Sequence, residues 1–212
     1  MNGPASLSFD RPGALAYNRR MKELVLKAFE ESADVKRRFV AEYADRIVLV
    51  SQLLIRTIRE GHKVLLFGNG GSSTDASHIA AEFVGRYHRD RSPYPAIALA
   101  TDMAAVTCIG NDYGYDEIFS RQVRAHGRKG DVAIAISTSG NSPNVLRGAE
   151  AAREGGLVTV GWTGGKGGKL AGLVDHAFIV PSTVTARIQE SHITLGHVLC
   201  ELIDAALIGK PS

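Results

Sequence analysis

Five short apolar runs, at residues 63–67, 96–99, 132–136, 157–161 and 175–180, punctuate this chain after its first sixty residues. Each is apolar nearly throughout, and alternation is absent. That is the pattern of a parallel strand buried on both faces. Between them lie segments whose apolar residues recur three and four apart, the period of a helix. Strands alternating with helices predict an α/β fold, a five-stranded parallel sheet with helices on both faces. Right-handed crossovers put every strand-to-helix loop on one edge of such a sheet, where ligands bind.

Two of those loops carry chemistry. After residues 132–136 come Ser137, Thr138, Ser139, Gly140, Asn141 and Ser142, then Pro143 and a helical pattern. Ser142 suits an N-cap and Pro143 the first helical position. Hydroxyls at a helix N-terminus, beside unpaired N–H groups and a partial positive charge, can wrap a phosphate without a cationic side chain. No Gly-Lys-Ser/Thr follows, so this is not a Walker loop. The competing reading is an ordinary polar turn. The other loop, Gly68-Asn69-Gly70-Gly71-Ser72-Ser73, leaves the first strand and feeds a helix from Thr74 to about His88. Both loops leave carboxyl ends of strands and could face one crevice.

Before the first strand, residues 1–12 read as a loose arm. A helix follows over 13–31, with Leu15, Met21, Leu24 and Phe29 as candidate buried positions. Ser32 then caps a second helix to about residue 60, with a stripe at Val35, Phe39, Tyr43, Ile47, Val50, Leu54 and Ile58. Residues 1–60 are thus an N-terminal arm and helices, part of the same domain as the sheet-bearing residues 61–212. Two long helices exceed what one sheet face needs, so they are expected to form a helical bundle, within the chain or between subunits, the latter as an oligomeric helical core. In the sheet region Asp102 caps a helix through Ile109, and residues 110–114 break it.

At 212 residues, 44% hydrophobic and 22% charged, the chain reads as one soluble globular domain. Its net charge of +3 is scattered without a basic block, so no nucleic-acid partner is expected. No apolar run reaches about 18 residues and no signal-peptide pattern opens the chain, so the expectation is cytoplasmic, with no membrane partner. Cys108 and Cys200 each fall in an apolar helical pattern and read as free buried thiols in a reducing compartment.

The helix after the glycine-rich loop carries His78 and Glu82. At i, i+4 their Cβ atoms lie roughly 5–6 Å apart on one face. The pair can share a metal or a substrate; a surface ion pair is the competing reading. The last helix, starting near Thr185 and running to about Leu207, carries Gln189, Glu190, His192 and His197 among apolar neighbours. His192 reads as a surface histidine. His197 reads either as a hydrogen-bonded core histidine or as a site residue. Eight helical residues rise about 12 Å, so Gln189 and His197 cannot both reach one ion from an unbroken helix. If they share a site, the helix is distorted or two subunits contribute.

Taken together, Gly68-Asn69-Gly70-Gly71-Ser72, His78 with Glu82, Gly110-Asn111-Asp112-Tyr113-Gly114, Phe119-Ser120-Arg121-Gln122, the serine loop, and Arg187-Ile188-Gln189-Glu190 with His197 resemble the phosphoheptose isomerase family of sugar-isomerase (SIS) domain proteins. Order and spacing match over roughly residues 20–208. The resemblance implies the SIS fold, flavodoxin-like in its winding, and a homotetramer with active sites at subunit interfaces. It also implies conversion of sedoheptulose 7-phosphate to an aldose phosphate for surface polysaccharide. By the same resemblance Ser137, Thr138, Ser139 and Ser142 would hold the phosphate. Asn69, Gly70, Gly71, Ser72, Asn111, Asp112 and Gln189 would line the sugar together with Glu82. Glu82 and His197 match the family's acid/base residues. His78, Glu82, Gln189 and His197 match positions that bind zinc in some members, so the resemblance allows one zinc ion per subunit and no organic cofactor. Ala186 departs from the pattern, standing where some relatives carry an acidic residue, and the N-terminal arm is longer than usual.

Two functions compete. An aldose–ketose isomerase needs a base near carbon, an acid near oxygen and stabilisation of an enediolate. A non-catalytic SIS protein, binding sugar phosphates or a replication initiator, needs none of these. Its initiator-binding representatives lack the counterparts of Glu82 and His197, which this chain has.

Overall fold

The computed structural model describes residues 12–208, with side chains from residue 16 onward. The arm at 1–11 and the side chain of Leu15 lie outside the described residues. The elements are α1 (Pro12–Arg59), β1 (Val64–Gly68), α2 (Gly71–Val84), β2 (Ala96–Ala98), α3 (Met103–Tyr113), a 3₁₀ turn (Tyr115–Glu117), α4 (Ile118–His126), β3 (Val132–Ile136), α5 (Pro143–Glu154), β4 (Val158–Gly164), α6 (Gly168–Leu173), β5 (His176–Val180) and α7 (Thr185–Leu207).

The five strands are all parallel, in the order β2-β1-β3-β4-β5. The winding reverses between β1 and β3, which makes their carboxyl ends the switch point where such sheets take ligands. β1 and β3 are buried at every residue, as their unbroken apolar sequence demands. Successive side chains alternate between two cores. Val64, Leu66, Ile134 and Trp162 face α1, α2 and α7. Leu65, Phe67, Ala133 and Ala135 face α4, α5 and α6. The predicted sheet and its two helical layers are therefore present.

The N-terminal region departs from expectation. α1 is one helix of 48 residues, not two. No glycine or proline stands between Gly13 and Gly61, so nothing interrupts the backbone hydrogen bonds, and Ser32 sits mid-helix. Pro12 occupies its first position, where a missing N–H costs nothing. The predicted stripe is real from Val35 onward. Val35, Phe39, Tyr43, Ile47, Val50 and Leu54 are buried against the sheet and α7, with Phe39 and Tyr43 packed on Phe178. Leu24 and Phe29, expected inside, are exposed at 53% and 75%, although the helix still meets the domain at Ala28, whose carbonyl oxygen accepts from Arg187 Nη1.

Further corrections are local. α2 ends at Val84, and Gly85 follows. Asp102 caps α3 as expected, accepting from the Ala105 N–H at 3.0 Å, but the helix continues through Asn111 and Asp112 to Tyr113. Gly114, at φ +92°, ends it. Cys108 is exposed on α3 rather than buried, since that helix lies at the rim; Cys200 is buried as expected.

Candidate functional site

At the carboxyl end of β1 the chain needs a tight turn. Gly68 pairs with Ile136 of β3 so closely that a Cβ would meet the Ile136 carbonyl oxygen at 2.7 Å and Ser72 at 2.8 Å. Asn69 then reaches across the switch point. Its amide exchanges two hydrogen bonds with the Asn144 amide, at 2.8 and 2.9 Å, and its oxygen also accepts from the Tyr115 hydroxyl at 3.0 Å. The glycine and serine loops thus face one crevice. Gly70, at φ +53°, turns the chain into α2, and Ser72 is buried behind it. Gly71 packs directly under the Gln189 amide, which a Cβ would displace.

The serine loop leaves β3 and feeds α5. Ser142 has the extended backbone of an N-cap, followed by Pro143 in the first turn, but its hydroxyl makes no cap bond. It lies 3.0 Å from the Ser137 hydroxyl instead, so these two side chains satisfy one another. Ser137 is buried. Thr138, Ser139 and Asn141 open into a pocket of about 340 Å³ whose far wall is Gly165, Lys166, Ser182, Thr183, Thr185 and Ile188. Sequence reasoning passed over Lys166, Ser182 and Thr183. The signal available was the glycine-rich run 163–168, which leaves β4 at the same sheet edge.

Further along α2, His78 and Glu82 stand on the face turned to α7. His78 Nε2 lies 3.3 Å from Glu82 Oε1 and 3.2 Å from His197 Nε2. One ligand atom from each of the three falls within 4.8 Å of the others. Burial, and then the neighbouring His78, hold the His197 pKa below the usual imidazole value, while Glu82 pulls the other way. The Tyr87 ring stacks on His197 with centroids 5.6 Å apart. Asp75, one turn before His78 and likewise overlooked in the sequence, has a buried oxygen without a partner. Burial pushes its carboxyl up to about 6.

α7 is unbroken, so the predicted metal quartet divides. His78, Glu82 and His197 come together, whereas Gln189 sits two turns away against Gly71. Helix distortion is thereby excluded as a way of uniting Gln189 with His197. His192 is also not where the sequence reading put it. It is fully buried on the inner face of α7, beside Trp162, with its Nε2–H donating to the Thr163 carbonyl oxygen at 3.2 Å. Asn111 and Asp112 are exposed on α3, and their side-chain hydrogen bonds stay local, to each other and to Cys108.

A divalent metal fits the three-residue cluster by chemistry. Two imidazole nitrogens and one carboxylate oxygen are zinc ligands, and three of them leave one position of a tetrahedron open.

Comparison with known proteins bears on the family and the fold. The family model described as the SIS domain matches residues 28–164. The phosphoheptose isomerase of Aquifex aeolicus is 56% identical over 184 residues, 87% of this chain and 96% of the relative. The solved phosphoheptose isomerase of Neisseria gonorrhoeae superposes with a TM-score of 0.83 at 43% identity, covering 87% of this chain and 99% of its own. That of Francisella tularensis gives 0.84 at 35% identity, covering 87% and 98%.

Proposed function

The chain belongs to the phosphoheptose isomerase family of SIS-domain proteins, and from that membership we propose that it converts sedoheptulose 7-phosphate to D-glycero-D-manno-heptose 7-phosphate. In this reading it performs the first step of heptose synthesis for surface polysaccharide, in the cytoplasm. The observation that carries the reading is the His78–Glu82–His197 cluster, which sets a carboxylate and an imidazole side by side as proton transfer between carbon and oxygen requires.

The reaction moves one proton between C1 and C2 and another between the two oxygens, through a cis-enediol(ate). Glu82 is the group for the carbon-bound proton, a carboxylate that takes it from C1 and returns it at C2. His197 is the group for the oxygens. Its lowered pKa keeps the ring neutral at neutral pH, with one N–H to give and one lone pair to receive. Tyr87 fixes the plane of that ring. Thr138 and Ser139, in the pocket before α5, hold the phosphate with the Ser137–Ser142 pair behind them. Asn69, Gly70, Gly71, Ser72 and Gln189 line the sugar between the two. Asn111 and Asp112 reach it only if α3 or a neighbouring copy brings them in. His78, Glu82 and His197 would hold a zinc ion, with water or a neighbouring copy supplying the fourth ligand. Such an ion supplies Lewis-acid stabilisation of the oxyanion. Ligation would weaken Glu82 as a base, so the two roles compete for one carboxylate.

Incubating the purified protein with sedoheptulose 7-phosphate and following the sugar by NMR tests this directly. The expected result is an aldose 7-phosphate appearing at a rate proportional to protein. Tight binding of the sugar phosphate without turnover would favour the non-catalytic SIS reading instead.

A further inference from the structure

The cluster forms only because α2 and α7 meet at a fixed distance and rotation. Their approach is set by Gly196, where a Cβ would collide with Ile79 of α2. A few tenths of an ångström at the Nε2 atoms decides whether His78 and His197 share a proton or a ligand. A second tie lies just beyond the cluster. Residues 85–95, which connect α2 to β2, carry Arg91 back over the end of α2.

Arg91 Nη2 donates to the backbone carbonyl oxygen of Glu82 at 2.7 Å, and Nη1 to those of Phe83 and Ser92 at 2.9 and 3.2 Å. Helix ends leave such carbonyls without intrahelical partners. Nε donates to Asp204 Oδ1 at 2.8 Å. The Tyr94 ring lies against the guanidinium, 3.7 Å from centroid to Cζ. The two charged side chains are 5% and 8% exposed. Asp204 follows His197 by seven residues, two turns along the same face of α7. One planar group therefore grips the residue that bears the Glu82 carboxylate and the helix that bears His197.

We propose that Arg91, with Asp204, is a positioning residue that sets Glu82 and His78 against His197. It touches no reacting atom in this arrangement and acts through the two helices. A lysine cannot replace it. Its ammonium is a point donor on a flexible stem, whereas the fork reaches these four acceptors at once. The kinetic part of this inference rests on the isomerase reading; the geometric part does not.

The test compares Arg91→Lys with Asp131→Asn. Asp131 is a buried acid just before β3, away from α2 and α7, held by the Lys63 ammonium at 2.7 Å and the Arg128 N–H at 2.8 Å. Histidine ring resonances of the metal-free protein are recorded for both, with thermal melts to establish folding. In Arg91→Lys the His78 and His197 resonances move and kcat falls about 10–100-fold, with KM within about twofold. In Asp131→Asn the melting temperature drops, yet the two resonances and kcat keep their wild-type values. Should Arg91→Lys fail to fold, Asp204→Asn, which keeps the accepting oxygen and loses the charge, carries the same expectations. Unmoved His78 and His197 resonances in a folded Arg91 or Asp204 variant overturn the proposal. So does an equal shift in Asp131→Asn. A wild type that turns over no sugar defeats the isomerase reading alone, since the resonances still decide the clamp.

Discussion

Two histidines five residues apart on α7 meet opposite environments. His197 shares its site with His78 and Glu82, whereas His192 is sealed beside Trp162. Burial pushes the His192 pKa down to about 4, against an ordinary 6.5. Its folded pKa lies below its unfolded one, so the unfolded chain takes up the proton first as pH falls. Stability is complete above pH 6.5, drains away between 6.5 and about 4, and levels off below. Two and a half pKa units amount to about 3 kcal/mol. Denaturant titrations near neutrality and near pH 4 therefore separate wild type from His192→Asn. The wild type loses about 3 kcal/mol more over that interval, and parallel losses would mean that His192 is solvated. Sequence spacing could not tell these two residues apart. Both stand on an apolar helix, and what distinguishes them is which strand or helix lies opposite.

At the level of elements, much of the chain was legible, because local chemistry and global fold agree. An apolar run followed by hydroxyls, Ser142 and Pro143 yields β3, the serine loop and α5 at the predicted residues. Asp102 caps α3 as its type and position imply. The long N-terminal helix was legible only in part. Ser32-Ala33-Asp34 has the composition of a helix start, but a cap is needed only where the preceding chain is not already helical. The two readings differ in their response to Ala33→Pro. Proline at the first position of a separate second helix would be tolerated. In the interior of a continuous helix it removes a hydrogen bond and clashes with the preceding turn, at about 3 kcal/mol or more. A clear fall in melting temperature is the expected outcome; an unchanged melt would restore the break at Ser32. The division of the metal quartet could be stated from helix rise alone, but placing Gln189 over Gly71 required the packing of α7 on the glycine loop.

For the whole molecule, the remaining question is what covers α1. Tyr17, Leu24, Val25, Leu26 and Phe29 are all more than half exposed in the single chain. So many large apolar side chains left open on one helix of a single chain mark an interaction surface. A homotetramer that packs these helices together is the reading we favour, and it would also bring further side chains to the crevice. Light scattering on the purified protein should give about four times the 22.7 kDa chain mass. Phe29→Glu, which places a charge on the most exposed of these residues, should reduce that mass. A stable, active monomer would contradict the arrangement.

The account turns on Glu82 and His197 transferring protons rather than maintaining the fold. The most direct measurement is turnover of sedoheptulose 7-phosphate in deuterated water by wild type and by Glu82→Gln, with sugar-phosphate binding measured in parallel. Wild type is expected to leave deuterium on the product carbon. The variant should bind comparably through its intact serine loop and lose about 10²–10⁴-fold in kcat, the usual contribution of a general acid or base. A folded Glu82→Gln protein that turns over at close to the wild-type rate would contradict the assignment.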